Sequence, residues 1–169
     1  MSQAQTAPKP LRLLAEDPAD LQVISAALQD AVAKIADLSF EPAQRRFTLA
    51  LNRFRWEARG RAQERVRAAV QFAGVLGVRS RGAPIGDPEA VISILALVFE
   101  PAGEGAEDPS GAVHLQLAGG GDIRLEVECV DAVLADVSEP WAAIRAPLER
   151  TTDLALARSH CAASTRSAM

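Results

Sequence analysis

The amino-acid sequence predicts an α+β fold, in which an N-terminal helix packs on a strongly bent, mostly antiparallel sheet of about seven strands. Two patterns indicate this class: one amphipathic helix near the N-terminus, and a series of short segments in which apolar and polar residues alternate. The chain has 169 residues, is 49% hydrophobic and carries a formal net charge of −4. A chain of this size can bury a core large enough to fold without disulfides or a structural metal.

The helix is predicted over residues 18–29. Asp17 is a favourable N-cap, and Pro18 suits the first helical position, where a missing N–H costs no hydrogen bond. An apolar stripe at spacings of three and four follows, formed by Leu21, Ile24 and Leu28. We expect this stripe to dock on the sheet.

Strands are predicted wherever the apolar period falls to two. The segments are residues 32–40, 46–56, 66–78 with a break at Gly74, 90–99, 113–117, 123–129 and 133–137. In the second segment the apolar residues move from odd-numbered to even-numbered positions. A bulge near Asn52 is therefore expected to return Phe54 and Trp56 to the core. In residues 90–99 both the odd-numbered and the even-numbered positions are apolar, which predicts a central strand covered on both faces.

Bending such a sheet further would give a partly closed barrel, of which the pleckstrin-homology-like (PH-like) barrel is a known example. Its element order fits poorly, because that fold carries its long helix at the C-terminus. A single domain is predicted over residues 11–145, between a flexible arm at residues 1–10 and a flexible tail at residues 146–169. The tail is rich in Ala, Ser and Thr and lacks an apolar period.

The end of the domain contains a tryptophan with two alternative roles. Ser138, Glu139 and Pro140 predict a helical turn that contains Trp141 and Ile144. A tryptophan flanked by alanines is usually buried, so we expect Trp141 to be a hydrophobic plug that closes the sheet. An anchor for a partner is the alternative.

The sequence contains no segment typical of export or membrane insertion. The N-terminus lacks an apolar h-region, and the longest uncharged apolar run, residues 90–99, is too short to span a bilayer. Cys129 and Cys161 lack the CxxC spacing of a zinc or redox site. We therefore expect a cytoplasmic protein with reduced thiols, no membrane partner, no metal and no cofactor. The sequence predicts no oligomeric state.

Charge is distributed unevenly along the chain. Residues 43–82 contain ten basic residues, all arginine, and two acidic ones, whereas residues 83–169 contain five basic and fourteen acidic residues. Guanidinium groups bind carboxylates and phosphates through paired hydrogen bonds. The arginine-rich block therefore predicts either an anionic partner or pairing with carboxylates of the same chain.

The first alternative predicts a non-enzymatic binding module whose arginine-bearing strands contact an acidic protein surface or RNA. Its candidate ligand-binding residues are Arg53, Arg55, Trp56, Arg65, Arg67, Arg79 and Arg81. The second alternative pairs the same arginines with acidic residues, namely Glu57, Glu64, Glu126, Glu128, Asp131 and Asp136. The pI of about 5.2 favours pairing, because nucleic-acid-binding domains are usually basic.

The sequence contains none of the dinucleotide, P-loop, zinc-protease or serine-hydrolase motifs, so no catalytic residue is assigned. The alternative function is a small hydrolase or transferase, in which His114 acts as a base with nearby carboxylates such as Glu126. Cys129 is the candidate nucleophile. It falls on the apolar side of its segment, where a cysteine is usually a small core residue.

Three stretches of the sequence resemble a known family. They are the segment from Leu11 to Glu57, which contains NRFRWE, the segment VRSRG at residues 78–82, and IRLEVECVDAVLADV at residues 123–137. Over about residues 11–145 the chain is similar to the bacterial family known as domain of unknown function 2948. The resemblance implies a small cytosolic bacterial protein. It implies no particular activity, so no catalytic residue is transferred.

Overall fold

A computed structural model describes residues 9–58, 63–105 and 107–143 of the chain. These residues contain one α-helix and eleven β-strands. The elements are β1 (Arg12–Ala15), α1 (Pro18–Leu28), β2 (Val32–Lys34), β3 (Leu38–Glu41), β4 (Arg46–Phe54), β5 (Glu64–Phe72), β6 (Val75–Arg81), β7 (Val91–Pro101), β8 (Gly111–Leu117), β9 (Asp122–Val127), β10 (Ala132–Asp136) and β11 (Trp141–Ala142). The predicted tail, and all of the predicted arm except residues 9 and 10, lie outside the described residues.

The strands form one sheet in the order β1-β10-β5-β4-β2-β7-β8-β9-β6, while β11 pairs with β5 and β3 pairs with β4. Each pair is antiparallel. The end strands β1 and β6 do not pair with each other, so the sheet does not close. The predicted α+β class, with about seven strands and a partly closed PH-like barrel, is therefore wrong. The described residues form a mostly antiparallel β fold with a single helix.

The additional strands are too short for their alternation to be recognised in the sequence. β1 has four residues and β11 has two. A 3₁₀ turn at Ile35–Asp37 divides the predicted strand 32–40 into β2 and β3. Trp141 lies in β11 and is 42% exposed, so the predicted helical turn and the predicted hydrophobic plug are both wrong at this residue.

Helix α1 confirms the local prediction. The Asp17 carboxylate accepts the backbone N–H of Asp20 at 2.7 Å and caps the helix. Leu21, Ile24 and Leu28 are buried, and the helix packs mainly against β7 and β1. No helix in the described residues is long and apolar enough to cross a membrane.

The core lies on the side of the sheet against which α1 packs, which we call the inner face; the opposite side is the outer face. Strand β7 shows the difference, because Ile92, Ile94 and Leu97 are buried. In contrast, Val91 is 64% exposed and Leu95 is 50% exposed. The predicted burial of both faces of this strand is therefore wrong, since the helix covers only one of them.

Candidate functional site

The fold separates the predicted arginines. Arg53 lies on the inner face of β4. Arg65 and Arg67 lie on the outer face of β5, and Arg79 and Arg81 lie on β6. Five strands come between β5 and β6 in the sheet order. The structure therefore distributes these residues over several surfaces instead of joining them in one.

Arg53 is fully buried and uses all five guanidinium N–H groups inside the protein. Nε and Nη2 donate to the two oxygens of Asp136 at 2.8 and 2.9 Å. Nη1 and Nη2 donate to the two oxygens of Glu57 at 3.0 and 2.7 Å. The remaining N–H, on Nη1, donates to the carbonyl oxygen of Phe54 at 2.9 Å. Arg53 has no donor left for a ligand.

Asp136 links this buried cluster to the residue that precedes β1. Its carboxylate accepts the backbone N–H of Leu11 at 2.9 Å, and its own backbone N–H donates to the carbonyl oxygen of Leu11 at 2.9 Å. Burial opposes the charge of Arg53, but the hydrogen bonds to Glu57 and Asp136 outweigh it and raise the pKa of Arg53. The cluster therefore holds together β4, β10 and the start of the described chain.

The register of β4 explains why Arg53 points inward. Asn52, Arg53 and Phe54 pair in order with Arg67, Val66 and Arg65, without a shift, so the bulge predicted near Asn52 is absent. Arg53 follows the two-residue alternation of the buried apolar residues before it in β4, so it lies on the same face as they do. The next residue, Phe54, consequently lies on the outer face.

Two further arginines have carboxylate partners. Arg55 Nη1 forms an ion pair with Glu64, and the Arg55 side chain is 11% exposed. Arg67 Nη2 lies 3.0 Å from an oxygen of Asp37, and its Nη1 donates to the side-chain oxygen of Asn52 at 3.3 Å. Both guanidinium groups are therefore largely neutralised within the chain.

The arginines of β6 are more exposed. Arg79 has a side chain that is 78% exposed, and its Nε lies 3.6 Å from an oxygen of Glu126. Arg81 forms no ion pair with any described residue, although Asp122 is its cross-strand partner. Asp122 instead contacts His114. These two arginines belong to the end strand of the sheet, away from the other candidates.

Three side chains lie in a row on the outer face. Trp141 pairs with Arg65 across β11 and β5, and Arg65 pairs with Phe54 across β5 and β4. Cross-strand partners share a face, with Cβ atoms about 5 Å apart. Trp56 extends the row, since its ring centroid lies 5.3 Å from that of Phe54. We call these four residues, Phe54, Trp56, Arg65 and Trp141, the tryptophan–arginine surface.

Both tryptophans of the chain belong to this surface, and both are exposed: Trp56 by 49% and Trp141 by 42%. Trp56 is held in place because its Nε1–H donates to the carbonyl oxygen of Gln29 at 3.2 Å, next to the end of α1. Phe54, in contrast, is only 3% exposed, because its neighbours cover it. The surface therefore exposes the two tryptophan rings to solvent, with Trp56 held by its hydrogen bond and Phe54 buried beside it.

Arg65 occupies the centre of the row. Its guanidinium carbon lies 3.9 Å from the centroid of the Phe54 ring, in a cation–π contact. Its Nη1 donates to the carbonyl oxygen of Asn52 at 3.4 Å, and no described carboxylate forms an ion pair with it. Burial lowers the pKa of Arg65, and the charge of Asp30 acts in the opposite direction. Arg65 thus retains N–H donors for an anionic group.

His114 lies on the outer face of β8 between two carboxylates. Nδ1 lies 3.0 Å from Asp122 Oδ2, and Nε2 lies 2.8 Å from Glu100 Oε2. Burial lowers the pKa of His114, but the hydrogen bonds to Asp122 and Glu100 outweigh it and raise the pKa. Both ring nitrogens donate at once only in the protonated ring, so this geometry favours imidazolium and leaves no lone pair for a general base.

The partners of His114 differ from the carboxylate predicted for it, since Glu126 pairs with Arg79 instead. A cavity of about 290 Å³ is lined by Glu100 but not by His114. Another cavity, of about 410 Å³, lies near the ends of β5 and β10 and is lined by Lys9, Arg55, Asp136 and Glu139 among others. Its cations and carboxylates balance, so it has no clear preference for an anion.

The described residues define a β-sheet protein with one α-helix and with two exposed tryptophans on the outer face of the sheet. A family model described as "Protein of unknown function (DUF2948)" matches residues 11–149, and the chain belongs to this family. The resemblance predicted from the sequence is thereby confirmed. No curated protein and no solved structure matches the chain.

Trp56 and Arg65 are among the residues that the sequence predicts as ligand-binding. Trp141 is not among them, because the sequence predicts it as a hydrophobic plug, and Phe54 is buried as predicted but on the outer face. The alternation of β5 puts Arg65 on the outer face. No local signal shows that a two-residue strand 76 positions further along brings Trp141 beside Arg65, since only the register of β11 does so.

Proposed function

We propose that this protein is a non-enzymatic binding module, and that the tryptophan–arginine surface contacts an acidic surface of a partner protein. The observation that carries the proposal is the row formed by Trp141, Arg65 and Phe54 across three strands, extended by Trp56. Its composition is that of a binding hot spot, because Trp and Arg are the residues most enriched among those that dominate interface energies.

The state of Arg65 supports an anionic partner. Its guanidinium carbon lies 3.9 Å from the centroid of the Phe54 ring, and no described carboxylate forms an ion pair with it. A partner carboxylate placed between the two tryptophans would complete its hydrogen bonds in a partly desolvated setting, where a charge-assisted bond is stronger than in water. The exposed rings would then bury apolar area around that contact.

The surrounding charges favour a protein over RNA. Arg53, Arg55 and Arg67 are paired with carboxylates, so Arg65 is an isolated cation and not part of a basic groove. RNA binding depends on several free cations that neutralise successive phosphates. The formal net charge of −4 also opposes a polyanion.

The other residues that the sequence predicts as ligand-binding do not contact the partner in this proposal. Arg67 borders the surface, and Arg53 and Arg55 support it from within through their ion pairs. Arg79 and Arg81 lie outside it. The alternative of a hydrolase or transferase has no supporting observation, because the base that it requires, His114, has both nitrogens directed at carboxylates.

Titration calorimetry with two probes tests the proposal: a short Glu-rich peptide without tryptophan, and oligouridylate as the RNA probe. We expect the peptide to bind, and Arg65→Gln and Trp141→Ala each to weaken it by about tenfold or more, as for hot-spot residues. Arg12→Gln, at an exposed arginine of β1, is the matched control and should bind like the wild type. Absence of peptide binding, or equal losses in Arg65→Gln and Arg12→Gln, would refute the proposal, as would tighter binding of oligouridylate.

A further inference from the structure

Strand β6 is an open edge of the sheet. It pairs with β9 on one side, and no strand of the described residues pairs with its other side. On that side, Val75 N–H donates to the carbonyl oxygen of Arg45, at the beginning of the strand. Beyond this contact, alternate N–H and C=O groups of β6 point outward without a strand partner, which is the arrangement that accepts an added strand.

The side chains of this edge are basic. Arg79 and Arg81 are two residues apart and therefore lie on the same face of β6. Arg79 forms an ion pair with Glu126 at 3.6 Å, but 78% of its side chain remains exposed. Asp122, opposite Arg81, contacts His114 instead. Leu76, at the start of the same edge, is 55% exposed. The edge thus combines free backbone groups, two cations and one apolar side chain.

We propose that β6 binds an extended acidic peptide segment, which adds to the sheet as a further strand and places alternate carboxylates beside Arg79 and Arg81. Backbone hydrogen bonds would provide affinity, and opposite charges on directly paired residues would select the acidic segment. The same charges disfavour a second copy of β6 as the occupant, because two copies would bring four arginines together.

This site shares no residue with the tryptophan–arginine surface, since its residues lie on β6, whereas that surface is formed by β4 with Trp56, β5 and β11. Substitutions at one surface therefore leave the other intact, and the two proposals can fail independently.

The test uses the full chain and a labelled peptide in which Val and Glu alternate, with the matching Val-Gln peptide as a reference. Fluorescence anisotropy should show binding of the acidic peptide only, and hydrogen exchange should show slowed amides in residues 76–81 of the bound protein. Arg81→Glu should weaken binding about tenfold, because an attractive cross-strand pair becomes repulsive. Arg81→Gln should have a smaller effect in the same direction.

Arg12→Glu is the matched control, because Arg12 is an exposed arginine on β1, the strand at the other end of the sheet. It should leave the affinity for the acidic peptide unchanged. The proposal is overturned if Arg12→Glu and Arg81→Glu weaken binding equally, if the Val-Gln peptide binds as tightly, or if the exchange of the β6 amides does not slow. Dimerisation of the free protein through β6 would also overturn it.

Discussion

The guanidinium of Arg53 and the carboxylate of Asp136 lie 83 residues apart in the sequence and form two hydrogen bonds, of 2.8 and 2.9 Å, inside the protein. Their side chains are 0% and 2% exposed. Because Asp136 also receives the N–H of Leu11, this pair fixes the edge of the sheet to β4. An arginine that looks available for a ligand in the sequence is thus part of the structural core.

Replacing Arg53 by Met should strongly destabilise the fold. The substitution leaves Asp136 buried without its cation, and breaking one side of a buried pair costs about 3–5 kcal/mol. Urea denaturation monitored by circular dichroism measures the free energy of unfolding. Combining Arg53→Met with Asp136→Leu should recover part of the loss, and Arg12→Met should change stability by less than about 0.5 kcal/mol. A loss below about 1 kcal/mol for Arg53→Met would contradict the structural role.

Gly111→Ala should also destabilise the protein. A Cβ at this position would clash with the carbonyl oxygen of Glu100 and lie 2.7 Å from a ring carbon of Phe99, so β7 and β8 must separate. Forced overpacking costs about 1–3 kcal/mol. Gly103→Ala is the control, because the added methyl group would meet no described group within 4 Å beyond its chain neighbours. Thermal unfolding should separate the two variants, and equal midpoints would show that the two strands are not in such close contact.

His114 should make stability depend on pH. Its pKa is raised in the folded protein by the carboxylates of Asp122 and Glu100, which outweigh burial. The contribution of His114 to the free energy of unfolding is therefore complete below its pKa in the unfolded chain, about 6.5. It is lost as pH rises through the higher pKa of His114 in the folded protein. The difference in free energy of unfolding between the wild type and His114→Gln should shrink over this range. A difference that stays constant, or grows with pH, would contradict the assignment.

The N-cap of α1 gives a smaller, local effect. Asp17→Ala removes the carboxylate that accepts the N–H of Asp20 and should cost about 1 kcal/mol. Asp17→Ser preserves an accepting oxygen and should retain most of the stability. If both substitutions cost the same in urea denaturation, the cap is not what stabilises this end of the helix.

The features that the sequence predicts correctly are those governed by local contacts. Asp17 and Pro18 mark the start of α1 because capping acts within one turn, and the alternation of β5 follows from its own residues. In β4 the bulge predicted near Asn52 is absent, so Arg53 lies on the same face as the buried residues before it instead of facing outward. Its charge suggests a solvent-exposed side chain, since only the distant Asp136 makes burial of a guanidinium acceptable.

Pairings between distant strands cannot be predicted in the same way. β1 joins β10 across more than a hundred residues, and β11 is too short to show a period. The candidate site shares this limit: Arg65 is identified from its strand, whereas Trp141 joins it only through tertiary pairing. Likewise, the sequence places His114 on a polar face, but its partners Asp122 and Glu100 come from two neighbouring strands.

The most direct test of the proposed binding surface is the pair of indole Nε1–H signals in the nitrogen–proton correlation spectrum of the full chain. The two tryptophans give two signals, and both lie at the proposed surface. Adding the Glu-rich peptide should shift both signals in the wild type and neither in Arg65→Gln at the same concentration. Peptide binding that leaves both indole signals unchanged in the wild type would contradict the account.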